Sequence, residues 1–286
     1  MQVQNNIASI NAARNQGIET GKLKKSLEKL SSGFRIVRAG DDAAGLTISE
    51  GMRSRINSLN QAMRNIDDGI GLTNVGDGAL TEVHSMLQRL KTLALKSANG
   101  TYDQSNRETL NMEKDQILEE IDRIGSTTKF GEISLFSRAD ANANTQLWQP
   151  PELDDTIPLQ IGGSTQAGEV LDVERYYIGS RELQLDQTDF SDVKKGHESV
   201  GYIENAIEAV SKVRASFGAA YMHLEHTHNN LSVTSENMQA AESQIRDTNM
   251  AEEITKYTSS NIILQSSNMM LTNANNLPQT ILELLK

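Results

Sequence analysis

Apolar residues near the start of the chain fall at Ile56, Leu59, Met63, Ile66 and Ile70, in steps of three and four. After "GDGAL" the pattern resumes at Leu80, Val83, Leu87, Leu90 and Ala94. Such steps trace one face of an α-helix with a heptad-like seam. The two runs do not share a phase, which predicts a single shift near Gly76 and Gly78. "SANGT" at 97–101 supplies the stop, with Asn99 and Gly100 as the turn. The predicted helix covers 43–98 and would be about 80 Å long. A second helix is predicted over 105–124, with Leu110, Ile117, Ile121 and Ile124 on its buried side.

The C-terminal half is more regular. Val210, Phe217, Leu224, Leu231, Met238 and Ile245 recur every seven residues, beside Ala206, Val213, Ala220 and Ala241. A seven-residue repeat predicts helices wound together with left-handed twist. The pattern leaves open whether the partner helix lies in the same chain. The four prolines are Pro150, Pro151, Pro158 and Pro278, so two long stretches are free to be helical. Between them, residues 137–200 hold three of those prolines, the only Trp (Trp148) and "IGGSTQAGE". "IPLQIGG" and "EVLDVERYYIGSREL" are rich in β-branched residues and tyrosine, and predict a small β-hairpin or sheet among loops. The fold class is therefore mainly α: a long helical coiled-coil bundle built from both termini, with a small β-hairpin region in the middle.

A helical interruption sits early, in "KLSSGFRIVRAGDDAAGLTISEGM". Gly33 suits the left-handed conformation that ends a helix. Asp41 or Asp42 suits the cap of the next, accepting from its free N–H groups and complementing its dipole. Arg35 and Arg38 lie between, predicted to be exposed.

Composition narrows the function classes. Aromatic residues make up 4% of the 286, little for one large globular core. Net charge is −11, yet residues 1–64 hold ten Lys/Arg against five acids. That asymmetry suits self-complementarity within an assembly; an acidic protein lacks the basic surface that nucleic acid requires. The absence of cysteine excludes disulfides, iron–sulfur clusters and thiol catalysis. No cleavable signal peptide and no membrane span are predicted. "HLEHTHNN" carries His223, Glu225, His226 and His228, but misses the H-E-x-x-H order of a zinc peptidase helix. It reads as polar helix surface with His228 toward the seam. "GGSTQAG" reads as a turn, and Glu119, Glu120 and Asp122 as solvated acids. No catalytic, metal or cofactor-binding residue emerges, and no cofactor is expected.

Two long motifs carry a resemblance. "SLEKLSSGFRIVRAGDDAAGLTISEGMRSRINSLNQAMRNIDDGIGLTNVGDGALTEVHSMLQRLKTLALKSANGT" closely resembles the N-terminal signature of bacterial flagellins. "VRASFGAAYMHLEHTHNNLSVTSENMQAAESQIRDTNMAEEITKYTSSNIILQSSNMMLTNANNLPQTILELL" resembles their C-terminal signature. The likeness covers roughly 1–136 and 200–286. It implies a structural, non-enzymatic subunit that polymerises with itself into the secreted, extracellular flagellar filament used for motility. The layout it implies is an inner coiled-coil core of 1–35 and 245–286, a connector at 36–42, an outer helical domain of 43–136 and 200–244, and a variable β-hairpin and loop segment at 137–199. That segment is too short for the large outer domains of longer members.

The resemblance also implies partners: an export chaperone gripping the C-terminal helix, a filament cap protein and a hook–filament junction protein. The C-terminal assembly and chaperone segment comprises Ile262, Ile263, Leu264, Met269, Met270, Leu271, Leu277, Ile281, Leu282 and Leu285. The connector, with Gly33, Arg35, Arg38, Asp41 and Asp42, is expected at a subunit interface, its arginines meeting acids of a neighbouring copy. Animal Toll-like receptors read the first outer helices of some members. The matching positions are Gln88, Arg89, Leu93 and Glu113, although Lys91, Thr92 and Leu93 stand where many members have Arg-Glu-Leu. The terminal helices, 1–35 and 250–286, are expected to order only on polymerisation, because isolated seams bury too little area to offset ordering entropy.

Overall fold

The computed structural model describes residues 6–136, 156–164 and 168–284. In chain order these form α1 (Ile7–Ser32), α2 (Ala43–Ser97), α3 (Gln104–Thr127), β1 (Lys129–Phe130), β2 (Ile133–Ser134), β3 (Thr156–Gln160), β4 (Val170–Glu174), α4 (Val193–Arg246) and α5 (Met250–Leu284). The chain divides into two compact units, Met1–Ile56 with Glu236–Lys286, and Asn57–Ser235.

The second unit holds the main core. Within it α2 and α4 run antiparallel, as their pairings show: Lys91 with Glu204 at 2.9 Å, Asp77 with Arg214 at 2.8 Å, and Asn60 with Ser235 at 3.2 Å. The heptad positions Val210, Phe217 and Leu224 of α4 are buried, so the partner helix predicted for this seam lies in the same chain.

The expected phase shift in α2 does not occur. Among the buried positions, Leu59, Ala62, Ile66, Gly69, Thr73, Gly76, Leu80, Val83, Leu87, Leu90, Ala94 and Ser97 follow in unbroken steps of three and four, with Leu72 and Leu93 buried beside them. Glycine and threonine hold the middle of the seam, where the apolar count skipped them. Gly69 and Gly76 are required there by close approach. A Cβ at Gly76 would stand 2.9 Å from the Phe217 ring, and one at Gly69 3.2 Å from Leu224. Small residues on α2 thus receive the large heptad side chains of α4, as knobs enter holes.

α3 packs back on this pair. Its Ile121 is fully buried, with Leu110, Ile117 and Ile124 partly buried against the same core. The turn between α2 and α3 is closed by Arg107, itself 5% exposed. Its guanidinium donates to the carbonyls of Ser97, Asn99 and Tyr102. One ion thereby satisfies the last carbonyl of α2 and two carbonyls of the turn that follows.

Among the described residues the strands form two antiparallel pairs, β1–β2 and β3–β4. Pro158 sits inside β3, tolerable because each strand of a two-stranded hairpin has a free edge. β4 ends at Glu174, so the tyrosines of "ERYYIGS" belong to a loop and not to the predicted strand. Trp148, Pro150 and Pro151 lie outside the described residues. Asp122 is engaged in holding that loop: it accepts from the Ser180 N–H at 2.6 Å and from its hydroxyl at 2.8 Å.

In the first unit α1 and α5 lie side by side and antiparallel. Asn6 donates to the Ala274 carbonyl at 2.6 Å, Ser9 to Asn275 at 2.7 Å, and Gln16 to Asn268 at 2.6 Å.

Candidate assembly surface and chain joint

Helix α1 stops at Gly33, whose φ of 75° is left-handed and whose N–H returns to the Lys29 carbonyl. The connector at 33–42 is then pinned at both ends. Asp42 accepts from the Gly45 N–H at 2.9 Å and caps α2. Asp41 instead gathers the loop, accepting from the N–H groups of Val37 at 3.3 Å and Arg38 at 3.1 Å, and pairing with Lys25 at 2.7 Å. The Lys25 ammonium, helped by the Arg38 N–H, holds the Asp41 carboxyl down at about 2. Ile36 is buried, against the first turn of α2.

A second interruption, between α4 and α5 at 247–249, faces the first. Phe34 and Asp247 form an antiparallel bridge. The Arg35 N–H donates to the Arg246 carbonyl at 2.6 Å, and the Thr248 N–H to the Gly33 carbonyl at 2.9 Å. Arg246 lies over the Phe34 ring, 4.8 Å from its centre, and pairs with Glu50 at 2.6 Å. That pairing lowers the Glu50 carboxyl below its ordinary value. The break at 247–249 contains neither Gly nor Pro, so the strongest punctuation is missing from its sequence. A signal was present: Asn249 accepts from the N–H groups of Ala251 and Glu252 as the cap of α5, with acids in the first turn.

Arg35 and Arg38 are exposed, but both find partners within their own chain. Arg38 pairs with Glu28 at 2.7 Å, and the Arg35 guanidinium donates to the Ile245 carbonyl. Among the receptor-type positions, Arg89 and Glu113 are joined at 2.6 Å, and Gln88 is exposed beside them. Leu93 is fully buried in the helical core, one turn on from the exposed Arg89. His223 and His226 are exposed, while His228 is half-buried 3.7 Å from Asp67.

The α1–α5 pair has a mixed seam and leaves large apolar side chains outside it. Its buried positions include Glu19, Ser26, Glu253 and Ala274. Ile7, Ile10, Ile18 and Leu27 of α1 point outward, as do Ile254, Ile262, Ile263, Met269 and Met270 of α5. Leu264 and Leu271 are half-buried. Leu277, Ile281 and Leu282 lie on α5, but their side chains, and the whole of Leu285, are outside the described residues.

Family models for the bacterial flagellin N-terminal and C-terminal helical regions match residues 3–141 and 200–285. The chain belongs to the bacterial flagellin family. A flagellin of Halalkalibacterium halodurans is 43% identical over 286 residues, covering 100% of both chains. A flagellin of Bacillus subtilis is 37% identical over 308 aligned residues, again covering 100% of both. The flagellar filament 33 kDa core protein of Treponema phagedenis is 36% identical, also over 100% of both. This flagellin is a structural subunit of the bacterial flagellar filament, of the short kind without large outer domains.

Proposed function

We propose that the α1–α5 pair is the polymerising surface of this subunit and that its outward apolar stripes are covered by other copies of the chain in a secreted, extracellular filament. The observation that carries this reading is the set of large apolar side chains left outside the pair. A helix pair that buries Glu19 and Glu253 while isoleucines and methionines stay exposed has left much of its hydrophobic surface unused within the chain. Covering one such half-exposed side chain contributes on the order of 1 kcal/mol. Contacts that repeat from copy to copy without closing generate a filament. Residues 1–35 and 245–286 then form the inner layer, 36–42 the connector, 43–136 and 200–244 the outer helical layer, and 137–199 the variable surface.

Seeded growth of the purified full chain, imaged by electron microscopy, tests this. Ile262→Asp is expected to leave the helix content and thermal transition of the Asn57–Ser235 unit unchanged and to abolish growth. Filaments of normal length from that variant would overturn the reading.

The same apolar stripe on α5 suits an export chaperone before assembly, and the filament ends call for a cap protein and a hook–filament junction protein. A Toll-like receptor contact would rest on Gln88, Arg89 and Glu113, without Leu93; Arg89→Ala with undiminished receptor affinity would remove it. Arg35→Glu is expected to leave secretion intact and weaken the filament, because it unpins the connector from the Ile245 carbonyl. Filaments of normal stability would refute that role.

A further inference from the structure

Met269 and Met270 are 70% and 69% exposed, the highest values among the exposed large apolar side chains of the described residues. They stand one heptad beyond Ile262 and Ile263, so two aliphatic side chains and two thioethers share two adjoining stripes of α5. Between Tyr257 and Glu283 that helix carries no charged residue, so the patch is apolar and set among neutral amides and hydroxyls. We infer that Met269 and Met270 form an oxidation site through which peroxide blocks assembly of the free subunit. The inference rests on the assembly reading given above.

The chemistry is that of the exposed thioether. The sulfur attacks the outer oxygen of a hydroperoxide and the O–O bond breaks. With hydrogen peroxide the products are a sulfoxide and water. The sulfur loses two electrons and the peroxide gains them. A flexible apolar side chain becomes a polar, chiral one, and a methionine-rich interface is disrupted. The S=O dipole would then enter a contact that offers apolar stripes, and an unmatched polar group is costly there. The change is undone by methionine sulfoxide reductases. Once the stripe is covered by a neighbouring copy the sulfurs are out of reach, so sensitivity belongs to the subunit before it is seated. Met112 and Met222, 60% and 50% exposed on α3 and α4, serve as reference methionines in the Asn57–Ser235 unit.

The test treats the full chain with hydrogen peroxide, maps sulfoxide by peptide mass spectrometry, and measures seeded growth. Met269 and Met270 are expected to convert at least as fast as Met112 and Met222, and growth is expected to fall about tenfold or more, equivalent to a loss of about 1.4 kcal/mol per added subunit. M269L/M270L chain treated in the same way should grow at its untreated rate. Reductase treatment of the oxidised wild-type chain should restore growth, a readout that stands even if the double variant assembles poorly. In preformed filaments Met112 and Met222 should convert while Met269 and Met270 lag. Unchanged growth of a chain fully converted at both positions would overturn the inference and leave the assembly reading standing, as would equal loss in M269L/M270L or failure of repair. No growth of untreated chain, or equal conversion of all four methionines within filaments, would overturn the assembly reading itself.

Discussion

Gly76 and Phe217 meet across the seam between α2 and α4, and the space between them sets a measurable coupling. An added Cβ at position 76 would lie 2.9 Å from Cε1 of the ring and 3.2 Å from Cζ. In an open helix Gly→Ala gains about 1 kcal/mol from backbone entropy. Here the ring has little room to retreat. It is 3% exposed, edge-on to Phe136 at 6.1 Å and 72°, and 6.2 Å from Tyr176. Overpacking of this kind costs about 1–3 kcal/mol, so Gly76→Ala alone should be destabilising by about 0–2 kcal/mol. Phe217→Leu gives up the aromatic contacts, about 0.5–1.5 kcal/mol, and leaves a cavity besides. In the double variant the new methyl enters the space vacated by the ring. The propensity gain is then expressed, and G76A/F217L should be more stable than F217L by about 1 kcal/mol. The coupling between the two sites is therefore about 1–3 kcal/mol in favour of the pair. Urea unfolding of the four full-length chains, followed by far-ultraviolet ellipticity, measures it through the midpoints at constant slope. Additivity within about 0.5 kcal/mol would refute the keyed seam.

Three further outcomes follow from the same geometry. Arg246→Ala removes the guanidinium from Phe34 and Glu50, and a partly desolvated cation–π contact alone is worth about 1–2 kcal/mol; exchange of the Arg35 and Thr248 amides should accelerate about 5- to 30-fold. Arg107→Met strips three turn carbonyls of their buried donor and should destabilise by about 2–4 kcal/mol in thermal unfolding, with α3 amides losing protection first. Asp41, held at about 2 chiefly by Lys25, has a depressed folded-state value, so its contribution is complete above the ordinary carboxylate value of 3.8 and disappears as pH falls through about 2. Exchange at the Arg38 amide, normalised for intrinsic rates, should rise over that window in the wild-type chain and stay flat in Asp41→Asn.

What the sequence made legible depended on where the information is stored. Val210, Phe217 and Leu224 announce their seam because a large apolar side chain at each seventh position has few other uses. The facing seam was misread because Gly69, Thr73 and Gly76 contribute by being small, and a count of apolar side chains registers them as gaps. Gly33 and Asp42 were readable, since ending and capping a helix are local acts performed by recognisable residue types. The opposing break at 247–249 carries one local sign, the Asn249 cap, and the rest of its conformation is held by hydrogen bonds to residues more than 200 positions away. Leu93 adjoins the seam positions Leu90 and Ala94, and its burial follows from that, while Arg89 one turn earlier stays exposed.

The joint between the connector and the α4–α5 break rests on peptide groups: the Arg35 and Thr248 N–H donors and the Arg246 and Gly33 carbonyls. Every residue type except proline carries that donor. The backbone tie itself therefore asks only that positions 35 and 248 not be proline, with the Arg246 side chain reinforcing it, and load entering either terminal helix is handed to the other through main-chain bonds. An engineer wanting a looser joint can weaken it by degrees through the Arg35 and Arg246 side chains, whereas proline at position 35 or 248 deletes the tie itself.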